Sequence, residues 1–254
     1  MRIPVLLSLA CMLCGPAAGA ATPPVIILRV MAQESLPPKW LLRDGRADGV
    51  CPDILAAIEK IEPRLRFRGQ TELRSIPAIE RALDSGNIDC SCALLDTDRR
   101  RQIAVVAGPA LYVVRHKLAA AIGDKVVIDN FDDLVRIRPL ITTSRGAGYS
   151  DQLRVMGLKV DDSTGDNLVN LKKIIAGHGR IFYMNDLTLN WLVREYGLDD
   201  KVRILPSVMR EEPVFFWVGR KTPPASARLV DQALWKLKAS GELARIYGRW
   251  AAER

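Results

Sequence analysis

Asp89-Cys90-Ser91-Cys92-Ala93-Leu94-Leu95-Asp96-Thr97-Asp98-Arg99-Arg100-Arg101-Gln102-Ile103-Ala104-Val105-Val106-Ala107-Gly108-Pro109 packs a strand, a cap and a basic cluster into 21 residues. Cys90 to Leu95 is short, apolar and free of Gly and Pro, the pattern of a buried strand. Thr97 can start a helical turn by accepting a free backbone N–H on its side-chain oxygen, and Arg100 stands one turn further on. A strand that runs into a capped turn delivers such an Arg to its carboxyl end, where open α/β sheets hold their ligands. A guanidinium there could grip a carboxylate through two parallel hydrogen bonds. The alternative is that Arg99, Arg100 and Arg101 form a solvated run on a surface turn.

Outward from this stretch, other spacings fall in order. Gly45, Gly49 and Asp53 precede an apolar helix pattern, and Leu83, Gly86 and Asp89 precede the strand. Pro109 follows Arg100 by nine residues, and the chain closes on Gly241, Ile246, Tyr247 and Trp250 in a helical pattern. Taken together, these motifs resemble the family 3 extracellular solute-binding proteins, across nearly the whole chain after its leader. The resemblance implies an α/β, two-lobed periplasmic binding protein-like type II fold, with mixed, mostly parallel sheets flanked by helices and a ligand cleft between lobes. It implies a first, discontinuous lobe of residues 21–115 and 207–254, a second of residues 116–206, and crossings near Val113–Lys117 and Pro206–Glu211.

The N-terminus reads as an export signal over residues 1–20: Arg2, an apolar core from Ile3 to Leu13, and a small-residue cleavage site at Ala18-Gly19-Ala20. The apolar run is too short to span a bilayer, and Ser8-Leu9-Ala10 leaves too short a core ahead of Cys11 for a lipid anchor. A periplasmic product cleaved near Ala20 is expected. Removing the leader deletes one Arg and no acid, so formal charge falls from +8 to +7. The basic residues are dispersed without the interleaved aromatics of a strand-binding groove, so nucleic acid is not an expected partner.

Strand and helix patterns then alternate, which implies α/β packing. Val25 to Ala32 reads as a strand, Asp53 as the cap of a helix through Ile61, and Ser75 to Ser85 as an amphipathic helix. Gly146-Ala147-Gly148 opens a helix through Val155. Arg180 to Met184 and Val214 to Gly219 read as strands, and Ala225 to Ala239 and Gly241 to Ala251 as helices. Trp191, Trp217, Trp235 and Trp250 sit in element patterns and are expected in the core.

The resemblance assigns roles to particular positions. Arg100, with Thr97, would hold a ligand carboxylate, as the Thr-x-x-Arg arginine does in amino acid-binding members. Ala147 and Gly148 stand where those members carry hydroxyl residues at a helix start, leaving only backbone N–H groups for an anion; a plain turn is the alternative. Trp40 lies where the family places an aromatic against its ligand, or else packs its loop. Asn185 falls where the family has an Asp for the ligand's amino group, and a neutral amide cannot neutralise an ammonium. Ala93 and Leu95 likewise replace hydroxyl positions. These departures suit a carboxylate without an amino group, or a more apolar solute.

Three cysteines remain after the leader: Cys51, Cys90 and Cys92. In an oxidising compartment a pair should bridge, and the resemblance brings Cys51 near the strand of Cys90 and Cys92, giving Cys51 with either as the expected disulfide. Cys-x-Cys without a nearby His is weak as a metal site, and no metal or other cofactor is expected. His116 and His178 belong to no nucleophile elbow or His-Glu-x-x-His helix. The expected product is a non-enzymatic, monomeric binding protein that passes a small solute to the permease of an inner-membrane ABC-type transporter. The alternatives are a cleft enzyme resembling cyclohexadienyl dehydratase and an orphan receptor module.

Overall fold

The computed structural model describes residues 24–251, so the expected leader, residues 1–20, lies outside the described residues. In chain order the first elements are β1 (Ile26–Arg29), β2 (Ala32–Gln33), β3 (Leu41–Arg43), β4 (Arg46–Asp48), α1 (Val50–Ile61), β5 (Leu65–Arg68), β6 (Leu73–Arg74), α2 (Ile76–Ser85), β7 (Cys90–Leu95), α3 (Asp98–Ile103) and the long β8 (Ala104–Ala121). There follow α4 (Phe131–Ile137), β9 (Leu140–Thr142), α5 (Gly148–Val155), β10 (Lys159–Asp161), α6 (Asn167–Ile175), β11 (Ile181–Asn185), α7 (Asp186–Glu195), β12 (Val202–Ile204), β13 (Arg210–Gly219), α8 (Pro224–Ala239) and α9 (Glu242–Ala251).

The main sheet runs β10-β9-β11-β8-β13-β7, with β12 also on β8. β9 pairs in parallel with β10 and β11. β8 runs antiparallel to β11, β12 and β13, and β13 antiparallel to β7. The parallel pairs β1–β5 and β2–β6 stand apart from it. This is a mixed α/β architecture with helices on the sheet.

Buried apolar side chains gather in four clusters, and the two largest mark two regions joined by β8 and β13. Leu28, Ile54, Leu55 and Leu234 belong to the first, and Leu134, Ile141, Leu153 and Ile181 to the second. Along β8, Ala107, Leu111 and Val114 pack with the first region, and Leu118 and Ala120 with the second. The return is as short: Met209 packs with the second region and Val214 with the first. In α1 the buried Val50, Cys51, Ile54, Leu55 and Ile58 follow the spacing of one helix face.

The start of α1 corrects one expectation. The helix begins three residues before Asp53, with Gly49 at its cap. The Val50 and Cys51 N–H groups donate to the Pro38 and Lys39 carbonyls, both at 3.0 Å. A Cβ at Gly49, whose φ is +120°, would meet those carbonyl oxygens at 2.4 and 2.8 Å. Backbone from the 36–40 loop therefore does the capping, and in return the helix end fixes that loop. Asp53 instead accepts from Trp250 Nε1 at 2.8 Å and Arg249 Nη2 at 3.1 Å, fastening α9 to α1.

Cys51 in the first turn of α1 is bonded to Cys92 on β7, with Cα atoms 5.9 Å apart. Closing a loop across 41 positions removes chain entropy from the unfolded state worth about 4 kcal/mol in the loop-entropy model. Cys90 is a free thiol buried in the first core, and burial pushes its pKa well up. Among the tryptophans, Trp217 is buried in the core, whereas Trp235 on α8 is 54 % exposed, contrary to the expected core position.

Candidate functional site

Thr97 caps α3 by accepting the Arg100 N–H at 3.3 Å. The turn that follows splits the basic cluster: the Arg99 and Arg101 side chains are 62 % and 65 % exposed, and that of Arg100 is 3 % exposed. Arg100 Nη1 donates to the Leu95 carbonyl at 2.8 Å and Nε to Glu80 Oε1 at 3.0 Å. Glu80, on α2, also accepts from Arg99 Nε at 2.8 Å through its other oxygen. Burial lowers the Arg100 pKa, and the Glu80 carboxylate partly offsets this.

Arg100 lines a cavity of about 60 Å³ between the two regions. Gln33, Lys39, Ile76, Leu94 and Leu95 face it from the first region, and Ser144, Ala147, Gly148, Tyr149 and Asn185 from the second. His116 and Val114 face it from β8. Arg100, Ala147 and Gly148 also line a more polar hollow with Thr97 and Glu80. The two sides touch: a Cβ on Gly148 would lie 2.8 Å from Thr97 Cγ2, and Asn167 Nδ2 donates to the Ser35 carbonyl at 2.6 Å.

Lys39 is 3 % exposed. Its Nζ donates to Gln33 Oε1 at 2.6 Å and to the Ala93 carbonyl. Both acceptors are neutral. Burial, and then the neighbouring Arg100 charge, hold its pKa well below the usual amine value. Ala93 adopts φ of +57°, an uncommon setting for a residue with a Cβ. Reading the sequence missed Lys39 and Glu80. A lysine in a Pro-Pro loop gives no sign of burial until the loop is seen docked on α1.

Asn185 caps α7. Its Oδ1 accepts the Thr188 N–H at 2.9 Å, which fixes the amide orientation; Nδ2 donates one N–H to Met184 Sδ at 3.2 Å and has its second left to offer. Asp186 turns to Arg115, accepting from its Nε at 2.8 Å, and does not line the cavity. Trp40 does not reach the cavity either: it is 4 % exposed within the first core, a correction to the expected ligand contact. Its bulk anchors the loop whose preceding residue is Lys39. Ala147 is the cap of α5, with the Gly148 N–H first in the helix. Such N–H groups have no partner within the helix and carry its positive end.

His116 is 1 % exposed and stacks on Tyr183, ring centroids 5.3 Å apart, with Tyr149 edge-on at 4.9 Å. Its Nε2 lies 2.9 Å from Glu212 Oε2 on β13, out of line for a hydrogen bond, and Nδ1 is unpartnered. Burial works to raise the Glu212 pKa, but the His116 and Arg210 side chains outweigh it and hold it below the usual value. Among the described residues, no three of His, Cys, Asp and Glu cluster as metal ligands would.

Comparison with known proteins places this geometry. An L-glutamate/L-aspartate-binding protein of Pseudomonas aeruginosa is 23 % identical over 201 residues, 74 % of this chain and 61 % of the relative, so the match spans under two thirds of that protein's length. A histidine kinase sensor domain described as similar to periplasmic binding proteins superposes with a TM-score of 0.76 at 18 % identity, covering 89 % of this chain and 96 % of the other. The GluR0 ligand-binding core from Nostoc punctiforme, in complex with L-glutamate, gives 0.71 at 21 % identity over 88 % and 98 % of the two chains. Identities this low carry the fold alone. Residues 28–253 match the family model of the bacterial extracellular solute-binding proteins, family 3, and the chain belongs to that family.

Proposed function

We propose that this protein is a periplasmic receptor, not an enzyme, that closes on a small carboxylate-bearing solute and delivers it to the permease of an ABC-type transporter. The two lobes of the reading are residues 21–115 with 207–254, and 116–206. The observation that carries it is the charge of the cavity wall: Arg100 and Lys39 face the cavity, and among the described residues lining it there is no Asp or Glu. A carboxylate offered to that wall meets the outer edge of the Arg100 guanidinium, the Gly148 N–H at the start of α5 and the Asn185 Nδ2 amide, all donors. Thr97 fixes the turn beneath Arg100. The body of the solute would lie against Leu94, Leu95, Val114 and Tyr149. An ammonium entering the same space meets two cations and no counter-charge, and desolvating a charge without a partner costs several kcal/mol.

Calorimetric titration with matched amino acids and their 2-oxo acids tests the reading. The 2-oxo acids are expected to bind more tightly. Arg100→Ala is expected to weaken them by about 1.5–3 kcal/mol, the usual worth of a hydrogen bond to a charged group. Unchanged affinity in a variant that melts as the parent does would remove Arg100 from the site.

A further inference from the structure

Four acceptors at the cavity wall are already taken by the chain's own donors. Lys39 Nζ occupies Gln33 Oε1 and the Ala93 carbonyl, Arg100 Nη1 occupies the Leu95 carbonyl, and the Thr188 N–H occupies Asn185 Oδ1. The Glu80 carboxylate, behind Arg100, is divided between Arg99 and Arg100. A lysine ammonium has three donors, so one remains on Lys39 after its two bonds, in a side chain that lines the cavity. Lys39 is the one lysine buried among the described residues. Buried ions are paired with an opposite charge as a rule, and both acceptors of Lys39 are uncharged. Burial and the Arg100 charge work against the charged form of Lys39; with Lys39 protonated, the buried set of Lys39, Arg100 and Glu80 carries one net positive charge, which one carboxylate would balance and a zwitterion would not.

We propose that Lys39 is a specificity-determining binding residue: it supplies from the protein the ammonium that an amino acid would bring, so the cleft takes small monocarboxylates with no amino group. The proposal rests on the carboxylate reading above and deepens it by assigning the discrimination to one side chain. With Lys39 in place, an amino acid's ammonium finds those four acceptors filled and a like charge beside it. A 2-oxo or simple aliphatic acid instead bridges the third Lys39 donor and the Arg100 guanidinium.

The test titrates wild type and Lys39→Met, in calorimetry, with three pairs: pyruvate and L-alanine, 2-oxobutanoate and L-2-aminobutyrate, 4-methyl-2-oxopentanoate and L-leucine. Wild type is expected to prefer the oxo acid of the best-fitting pair. In Lys39→Met, which frees both acceptors at nearly constant volume, that preference should fall by about tenfold or more, equivalent to about 1.4 kcal/mol. If wild type prefers oxo acids and Lys39→Met keeps the full preference, Lys39 has no such role while the carboxylate reading stands. Wild type preferring the amino acids would overturn both. Should Lys39→Met not fold, ¹H–¹⁵N spectra of the lysine ammonium groups in wild type decide: the buried Lys39 resonance shifts on adding the preferred oxo acid, and an unmoved resonance rejects the contact.

Discussion

One hydrogen bond decides what Asn185 can give a ligand. Because its oxygen is spent on the Thr188 N–H, a residue that could have been an acceptor presents a donor. Asp161 shows the same logic in a charged group outside the cleft. Burial acts to raise its pKa, but hydrogen bonds from Lys173 and Ser163 and the Lys173 charge prevail and hold it at about 2. The folded pKa thus lies below the unfolded value of about 3.9. The pair's contribution to stability is complete above about pH 4 and is lost as pH falls through about 2. Lys173→Met should flatten the acid limb of the melting temperature over that interval and lower stability at neutral pH; an unaltered acid limb would show that Asp161 titrates as in the unfolded chain. Side-chain roles of this sort were only partly legible in sequence. Arg100 stood out because the Thr97 cap fixes its turn, whereas Lys39 and Glu80 find their partners 54 and 20 residues away, beyond the reach of any local pattern.

Among the elements, those with strong punctuation were the readable ones. β7 runs from Cys90 to Leu95 and α2 from the Ser75 cap to Gly86, a left-handed glycine, as their patterns suggest. β8 was not readable as one strand of 18 residues. Gly108-Pro109 interrupts its pattern, and Val105, Val106 and Val113 are exposed where alternation alone would hide apolar side chains. The short hairpin of β3 and β4, turning on Asp44 and Gly45 at φ of +51° and +73°, likewise has no strand pattern in sequence. At α5 the bare helix start leaves Gly148 tight against Thr97, where a side chain has little room. Gly148→Ala places a methyl 2.8 Å from Thr97 Cγ2. Overpacking of this kind costs about 1–3 kcal/mol, and on the proposed closure round a solute the cost is expected to fall on closure rather than folding. Solute affinity should drop by that amount while the melting temperature of the solute-free protein holds; equal loss in both would mean that Thr97 and Gly148 stay in contact whether or not solute is bound.

Across the molecule, both chain ends build the first region and the middle of the chain builds the second. Asp53 and Trp250 meet across 197 positions to close the first, so the C-terminal helix completes a core begun by the N-terminal strands. The two regions are joined through only two antiparallel strands, with Val114 opposite Glu212 in register. Strands paired in this way stand at the spacing that a tight two-residue turn bridges. Excising the second region at the genetic level tests whether the first folds without it. A chain in which residues 115–211 are replaced by Asn-Gly should turn β8 into β13 as a simple hairpin and fold as a miniature protein, keeping the Cys51–Cys92 bond and a cooperative melt. It would bind no solute, having lost half of the wall. A non-cooperative melt would mean that the first region depends on the second for its fold. If the miniature folds, the first region is self-sufficient, and the span from β8 to β13 is a hairpin whose tip carries residues 115–211, which the first region does not need for its own fold.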